Sequence, residues 1–152
     1  MNDDYKDKRL ALRIKMAEMA IELEEKRAEI LSKDQILHFI LENATDGFWD
    51  WNILTGEEYL SPRFKQQLGF EDDEMENTPE AWMKLADPDD MKSMEKALSE
   101  HFVSKGETIV RQIIKFTHRD GHTLKILCRG KVIEWGEFDE LCRMVGTHTI
   151  LT

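Results

Sequence analysis

The sequence predicts an α+β fold: one five-stranded antiparallel sheet with helices on one face, preceded by a long N-terminal amphipathic helix. Three observations carry this. Residues 1–46 contain neither Gly nor Pro and repeat apolar side chains in steps of four and three. From Asp46 onward, aromatic and β-branched runs are punctuated by Gly-containing turns. Between two groups of such runs, all three prolines directly follow a residue able to cap a helix.

The opening helix rests on Leu10, Ile14, Ala17, Ile21, Glu24, Ala28 and Leu31, which have the spacing of a coiled-coil seam. A second row, Leu12, Met16, Met19, Leu23 and Ile30, is expected to widen that stripe. Glu22 with Lys26 and Glu29 with Lys33 are helix-supporting pairs in the favoured order. An isolated helix of this length gains its stability from packing, so the seam needs a partner. The helix could fold back on its own domain; a second copy of the chain is the preferred reading. Ser32-Lys33-Asp34-Gln35 matches a capping box, so a short second helix is expected to start there and carry Ile36, Leu37, Phe39, Ile40 and Leu41.

Phe48-Trp49-Asp50-Trp51-Asn52 reads as a strand and Thr55-Gly56 as the turn before Glu58-Tyr59-Leu60. Ser61-Pro62, Thr78-Pro79 and Asp87-Pro88 then start three helices, the first closed by Gly69 and the third ending near Val103. Thr108–Thr117 and Thr123–Glu134 flank Arg119-Asp120-Gly121-His122, a tight hairpin turn. A looser turn, Trp135–Asp139, leads to a last strand over Leu141–Leu151.

Composition narrows the function. The 152 residues carry 21 Lys and Arg against 31 Asp and Glu, a net charge of −10. Nucleic acid is therefore excluded as a partner, since phosphate neutralisation needs concentrated positive charge. No apolar stretch approaches the roughly 20 residues of a membrane span, and MNDDYKDKRL has no signal-peptide core. Two cysteines give no disulfide framework, so a cytoplasmic location is expected. Residues 46–106 hold 15 acidic and 6 basic side chains. The runs EDDEMEN and DPDD in this stretch read as a solvated face, with Asp87, Asp89 and Asp90 as capping and first-turn acids.

Several of these segments, in this order, resemble PAS domains, in particular the subclass with a W-D-W strand. The segments are Asp46–Asn52 with Thr55-Gly56, then Tyr59–Lys65 and Leu68-Gly69-Phe70, then Trp82 with Asp87-Pro88-Asp89-Asp90. Next come His118-Arg119-Asp120-Gly121, Cys128-Arg129-Gly130 and Arg143–Thr149. The resemblance spans residues 36–152. Asp87 replaces the usual His of an H-P-D-D segment, and Ile150-Leu151-Thr152 stands where the family has D-I-T. It implies an N-terminal coiled-coil or signalling helix at 1–33 and a PAS domain at 34–152, with its PAC segment at about 107–152. The chain carries no phosphoacceptor H-E box, nucleotide-binding G box or G-G-D-E-F motif. The resemblance thus implies the sensory piece, itself not an enzyme, of a bacterial signal-transduction protein. Its output domain would be a histidine kinase, with a diguanylate cyclase as the alternative.

Trp49, Trp51, Phe64, Leu68, Trp82, Leu85, Ile114 and Phe116 are the residues expected to line a small-ligand cavity, unless they simply fill the core. No haem is expected, because His101 reads as part of a solvated helix end. No flavin is expected either: Pro62-Arg63-Phe64-Lys65-Gln66 has no Cys where the resemblance places the adduct-forming one. No metal site is expected, since His118 and His122 flank a turn and should diverge. Cys128 and Cys142, on adjacent strands, read as reduced thiols. A small acid–base enzyme would need a His and a carboxylate in one pocket, which the placement of the histidines on turns and helix ends disfavours. The remaining alternative is a ligand-free protein-interaction module. Leu10, Ile14, Ala17, Ile21, Ala28 and Leu31 are expected to form a parallel homodimer seam, with no membrane contact by this chain.

Overall fold

Residues 2–151 are described by the computed structural model, which divides into two compact units between Asn43 and Ala44. The first unit is one helix, α1 (Asn2–Asn43), with no buried residue. The helix continues straight through Ser32–Gln35, so the capping box starts no second helix. Neither Gly nor Pro breaks the backbone there, and the Lys33 ammonium reaches back 2.8 Å to Glu29 across that turn. Along a helix, two positions correspond to a rotation of about 200°. Leu12, Met16, Met19 and Leu23 therefore form a second apolar face and do not widen the first. Leu10, Ile14, Ile21 and Leu31 are all more than half exposed.

The second unit contains β1 (Gly47–Asn52), β2 (Glu58–Leu60), α2 (Pro62–Gln67), a 3-10 turn at Asp72–Glu74, α3 (Pro79–Met83) and α4 (Pro88–Val103). Three longer strands follow: β3 (Val110–Thr117), β4 (Thr123–Trp135) and β5 (Leu141–Ile150). They form one antiparallel sheet in the order β2-β1-β5-β4-β3. Each proline-led helix has its expected cap. Ser61 Oγ accepts from Phe64 N at 3.2 Å, Thr78 Oγ1 from Ala81 N at 3.3 Å, and Asp87 Oδ1 from Asp89 N and Asp90 N. These bonds satisfy donors that the first turn leaves free.

The core lies between the sheet and its helices, around Leu60, Phe64, Leu68, Ile114, Phe116, Ile126, Val132 and Met144, all essentially without exposure. Trp49 lies across a glycine pair: Gly130 and Gly146 are in register on β4 and β5, and a Cβ on Gly130 would stand 2.7 Å from the indole. The glycines make room for the ring, which covers backbone they leave bare. Lys65 has 2% of its side chain exposed, and its ammonium is held by Asp72 Oδ1 at 2.8 Å and Asp72 O at 2.9 Å. That satisfies a buried charge which would otherwise be costly.

Candidate functional site

A cavity of about 250 Å³ opens inside the second unit between the sheet and α3–α4. Alternation along β1 sends Trp49 and Trp51 to the same side, where both line it. α3 contributes Trp82 and Met83, α4 contributes Met91, Met94 and Leu98, and the sheet adds Val110, Ile114, Cys128 and Met144. The exposed Glu95 and Arg129 stand at its rim.

Two polar groups interrupt this apolar lining. Glu58 is 9% exposed, and its Oε2 accepts a hydrogen bond from Trp82 Nε1 at 3.1 Å. Burial raises its carboxyl pKa, partly offset by that bond. His148 is 6% exposed, with its ring stacked on Phe64 at a centroid distance of 4.1 Å. Burial pulls its pKa down to about 3, so the imidazole is neutral near neutral pH. Its Nδ1 has no hydrogen-bond partner among the described residues. Cys128, in register with His148, is a buried thiol pushed up to about 12 by desolvation and is chemically quiet. The cavity is lined by a neutral imidazole and no activated nucleophile, an arrangement suited to binding.

Of the eight residues that sequence reasoning placed at the cavity, Trp49, Trp51, Trp82 and Ile114 line it. Phe64, Leu68 and Phe116 do not; they fill the core on which His148 stacks. Leu85 packs on that core from the segment after α3. The polar members Glu58 and His148 were missed, since a lone Glu and a lone His on short strand segments carry no pattern.

His101 departs from its expected solvated setting. It is completely buried, seven residues after the buried Met94 on the sheet-facing side of α4. Its Nδ1–H donates to Thr108 O, and its Nε2 accepts from Val132 N at 3.0 Å, beside a register shift in β4. It ties the helix end to the sheet, and both ring nitrogens are engaged. His118 and His122 also depart from expectation: their rings stack at 4.4 Å instead of diverging. The three-residue turn Arg119–Gly121 brings the flanking positions back side by side, with His118 N donating to His122 O.

A second depression of about 550 Å³ is lined by Asp50, Asn52, Glu57, Glu134 and Arg143 among others. Asp50 is already taken up by Arg143, through bonds of 2.9 and 2.5 Å. That cleft offers an ion pair already satisfied within the chain.

A family model described as PAS fold matches residues 57–148, from the start of β2 through most of β5. The chain belongs to the PAS family. PAS chains of solved structure agree. A sensory box histidine kinase/response regulator from Burkholderia thailandensis E264 is 31% identical over 76% of this chain and 84% of its own, with a TM-score of 0.63. The N-terminal domain of a diguanylate cyclase with PAS/PAC sensor from Marinobacter aquaeolei is 19% identical over 70% and 94%, at 0.58. The LOV domain of a blue-light activated histidine kinase from Erythrobacter litoralis EL346 is 15% identical over 69% and 94%, at 0.50. The last two share the fold alone. No curated protein sequence matches the chain. Among the described residues, no helix is long and apolar enough to cross a membrane.

Proposed function

We propose that this PAS chain is the sensory and dimerisation module of a cytoplasmic bacterial signalling protein, binding a small, uncharged, mostly apolar ligand between the sheet and α3–α4. The observation that carries it is the cavity itself: apolar walls, three half-buried indoles, and the neutral imidazole of His148 among its lining residues. An empty apolar cavity of this size costs stability, and a ligand filling it restores the lost contacts. At about 250 Å³ it lies below the ~300–1,000 Å³ of sites for drug-sized molecules, so the ligand is the size of a single small ring system. A formal charge on it would be desolvated at high cost.

The residues do not fit iron ligation by His101 or a cysteinyl flavin adduct. Both nitrogens of His101 are bonded to backbone, which leaves no lone pair for iron, and α2 has no cysteine for a flavin adduct. The output domain is a histidine kinase, in line with the 31% identical relative; a diguanylate cyclase is the second reading, favoured by the fold likeness to that cyclase's sensor.

The seam Leu10, Ile14, Ala17, Ile21, Ala28 and Leu31 pairs with the same seam of a second copy. Its four-three spacing over a helix without a single buried residue supports this, and a parallel arrangement would hold two output domains side by side. Glu24 on the seam would face its own copy and weaken the pair.

Tryptophan fluorescence tests the ligand. Trp49, Trp51 and Trp82, three of the four tryptophans, line the cavity, so small aromatic alcohols and phenols should shift or quench the emission saturably. Native mass spectrometry should show one molecule per chain. Emission that responds only linearly, with no adduct for any compound of this class, would show a module without a ligand.

A further inference from the structure

The turn between β3 and β4 carries a second constellation. His118, Asp120 and His122 each present one donor atom, imidazole nitrogen or carboxylate oxygen, all within 4.8 Å of one another. Asp120 Oδ1 is 3.0 Å from His118 Nδ1 and pairs with His122 Nδ1. The hairpin is closed mainly by backbone groups. Gly121 N donates to His118 O, His118 N donates to His122 O, and His122 N donates to Asp120 Oδ1. Gly121, at φ 99°, supplies the left-handed residue. One further bond uses an imidazole: Asp120 N donates to His118 Nδ1 at 3.1 Å, and an ion at that nitrogen takes its place.

We propose that this turn is a binding site for a borderline divalent transition-metal ion, of the zinc, nickel and copper class, ligated by His118, Asp120 and His122. Two imidazoles and one carboxylate suit such ions and not magnesium or calcium, which take oxygen donors. An ion about 2.0–2.1 Å from each donor sets donor separations of about 3.3 Å; Asp120 Oδ1 and His118 Nδ1 stand 3.0 Å apart, and the three donors lie within 4.8 Å of one another. Half-exposed His122 can complete the approach by rotating its ring in open solvent.

The turn is also held in place. Arg119 N donates to Leu68 O at 2.9 Å, and the His118 ring sits over Gly69, where a Cβ would come within 2.6 Å of it. Arg119, the turn's cation, is directed away: its guanidinium pairs with Glu74 and stacks 5.2 Å over Phe70. Three protein ligands leave a fourth position for water, as in an open site. The net charge of −10 adds a field that favours cations. The ion would clamp the β3–β4 hairpin at the point where it meets the end of α2, giving the domain an input separate from the cavity.

The test is isothermal titration of the untagged protein with zinc and with nickel, followed by cobalt absorption spectra. The wild type should take up one ion per chain with micromolar affinity and give visible cobalt bands from nitrogen and oxygen ligands. Loss of outer-sphere partners alone weakens metal sites about 10–100-fold, so the ligand-removing double replacement His118→Ala/His122→Ala should weaken binding at least tenfold. Asp120→Asn keeps an oxygen to close the turn and should also weaken binding. His38→Ala and Asp89→Asn should bind as the wild type does. Circular dichroism confirms that the variants fold. Absence of wild-type binding at millimolar metal, or equal affinity in the double variant, overturns the site.

Discussion

Replacing His148 with Leu should change how the stability of the PAS domain depends on pH. The imidazole is buried, stacked on Phe64 and lacks a partner at Nδ1. Its folded pKa is about 3, against an ordinary value of about 6.5. The unfolded chain therefore takes up this proton first, and stability is lost as pH falls from about 6.5 towards 3. Each pH unit inside that window costs at most about 1.4 kcal/mol, a ceiling of roughly 5 kcal/mol across it. That is comparable with the total stability of an ordinary domain, ~5–15 kcal/mol, so acid unfolding should be centred on this residue. Glu58 works the other way, since its raised pKa makes the folded state hold its proton more tightly as pH falls. Comparing the two proteins cancels Glu58 and leaves His148. Urea unfolding of wild type and His148→Leu at intervals from pH 7.5 to pH 4 measures the difference. Near pH 7.5 the variant should lie within about 1–2 kcal/mol of wild type, because Leu matches the apolar surroundings. By pH 4 the variant should be the more stable protein. A difference that stays constant with pH would show that His148 is hydrated in the folded state and would refute the neutral, buried ring.

Three further outcomes follow from the packing and the helix. Gly146→Ala places a methyl against Arg129 O and the Trp49 indole, and should cost about 1–3 kcal/mol in urea unfolding, with a red shift of tryptophan emission as the ring is displaced. Asp72→Ala leaves the buried Lys65 ammonium with one carbonyl and should cost about 1–3 kcal/mol; Lys65→Met, which removes the charge as well, should cost less when both are followed by thermal melts. Replacing Ile14 and Ile21 with Lys should give a monomer by light scattering while the sheet's circular dichroism persists. The proposed wild-type dimer should strengthen with salt as repulsion between chains of −10 is screened.

Much of the fold was legible because its signals are local. Ser61-Pro62, Thr78-Pro79 and Asp87-Pro88 each combine a cap with a proline at the first helical position, and all three open helices. Asp120-Gly121 marked the β3–β4 turn, and the period of two put Trp49 and Trp51 on one face. What was not legible depends on chain segments meeting at a distance. His101 has charged neighbours in sequence, yet α4 turns it onto Val132, 31 positions away. The stacking of His118 on His122 depends on how tightly the turn closes. The split of the eight cavity candidates between Trp49, Trp51, Trp82 and Ile114, which line it, and Phe64, Leu68, Leu85 and Phe116, which do not, depends on how α2 and α3–α4 pack on the sheet. Hydrophobicity marks all of them alike.

The central claim is that the space between the sheet and α3–α4 holds a small molecule. Methionine methyl NMR tests it most directly. Of eight methionines, Met83, Met91, Met94 and Met144 line the cavity, while Met16 and Met19 lie on α1 and Met75 elsewhere in the core. Titration with a small aromatic alcohol or phenol should move the four cavity methyl signals saturably and leave those of Met16 and Met19 in place. Equal small drifts of all the methyl signals, or saturable shifts confined to α1, would contradict the account.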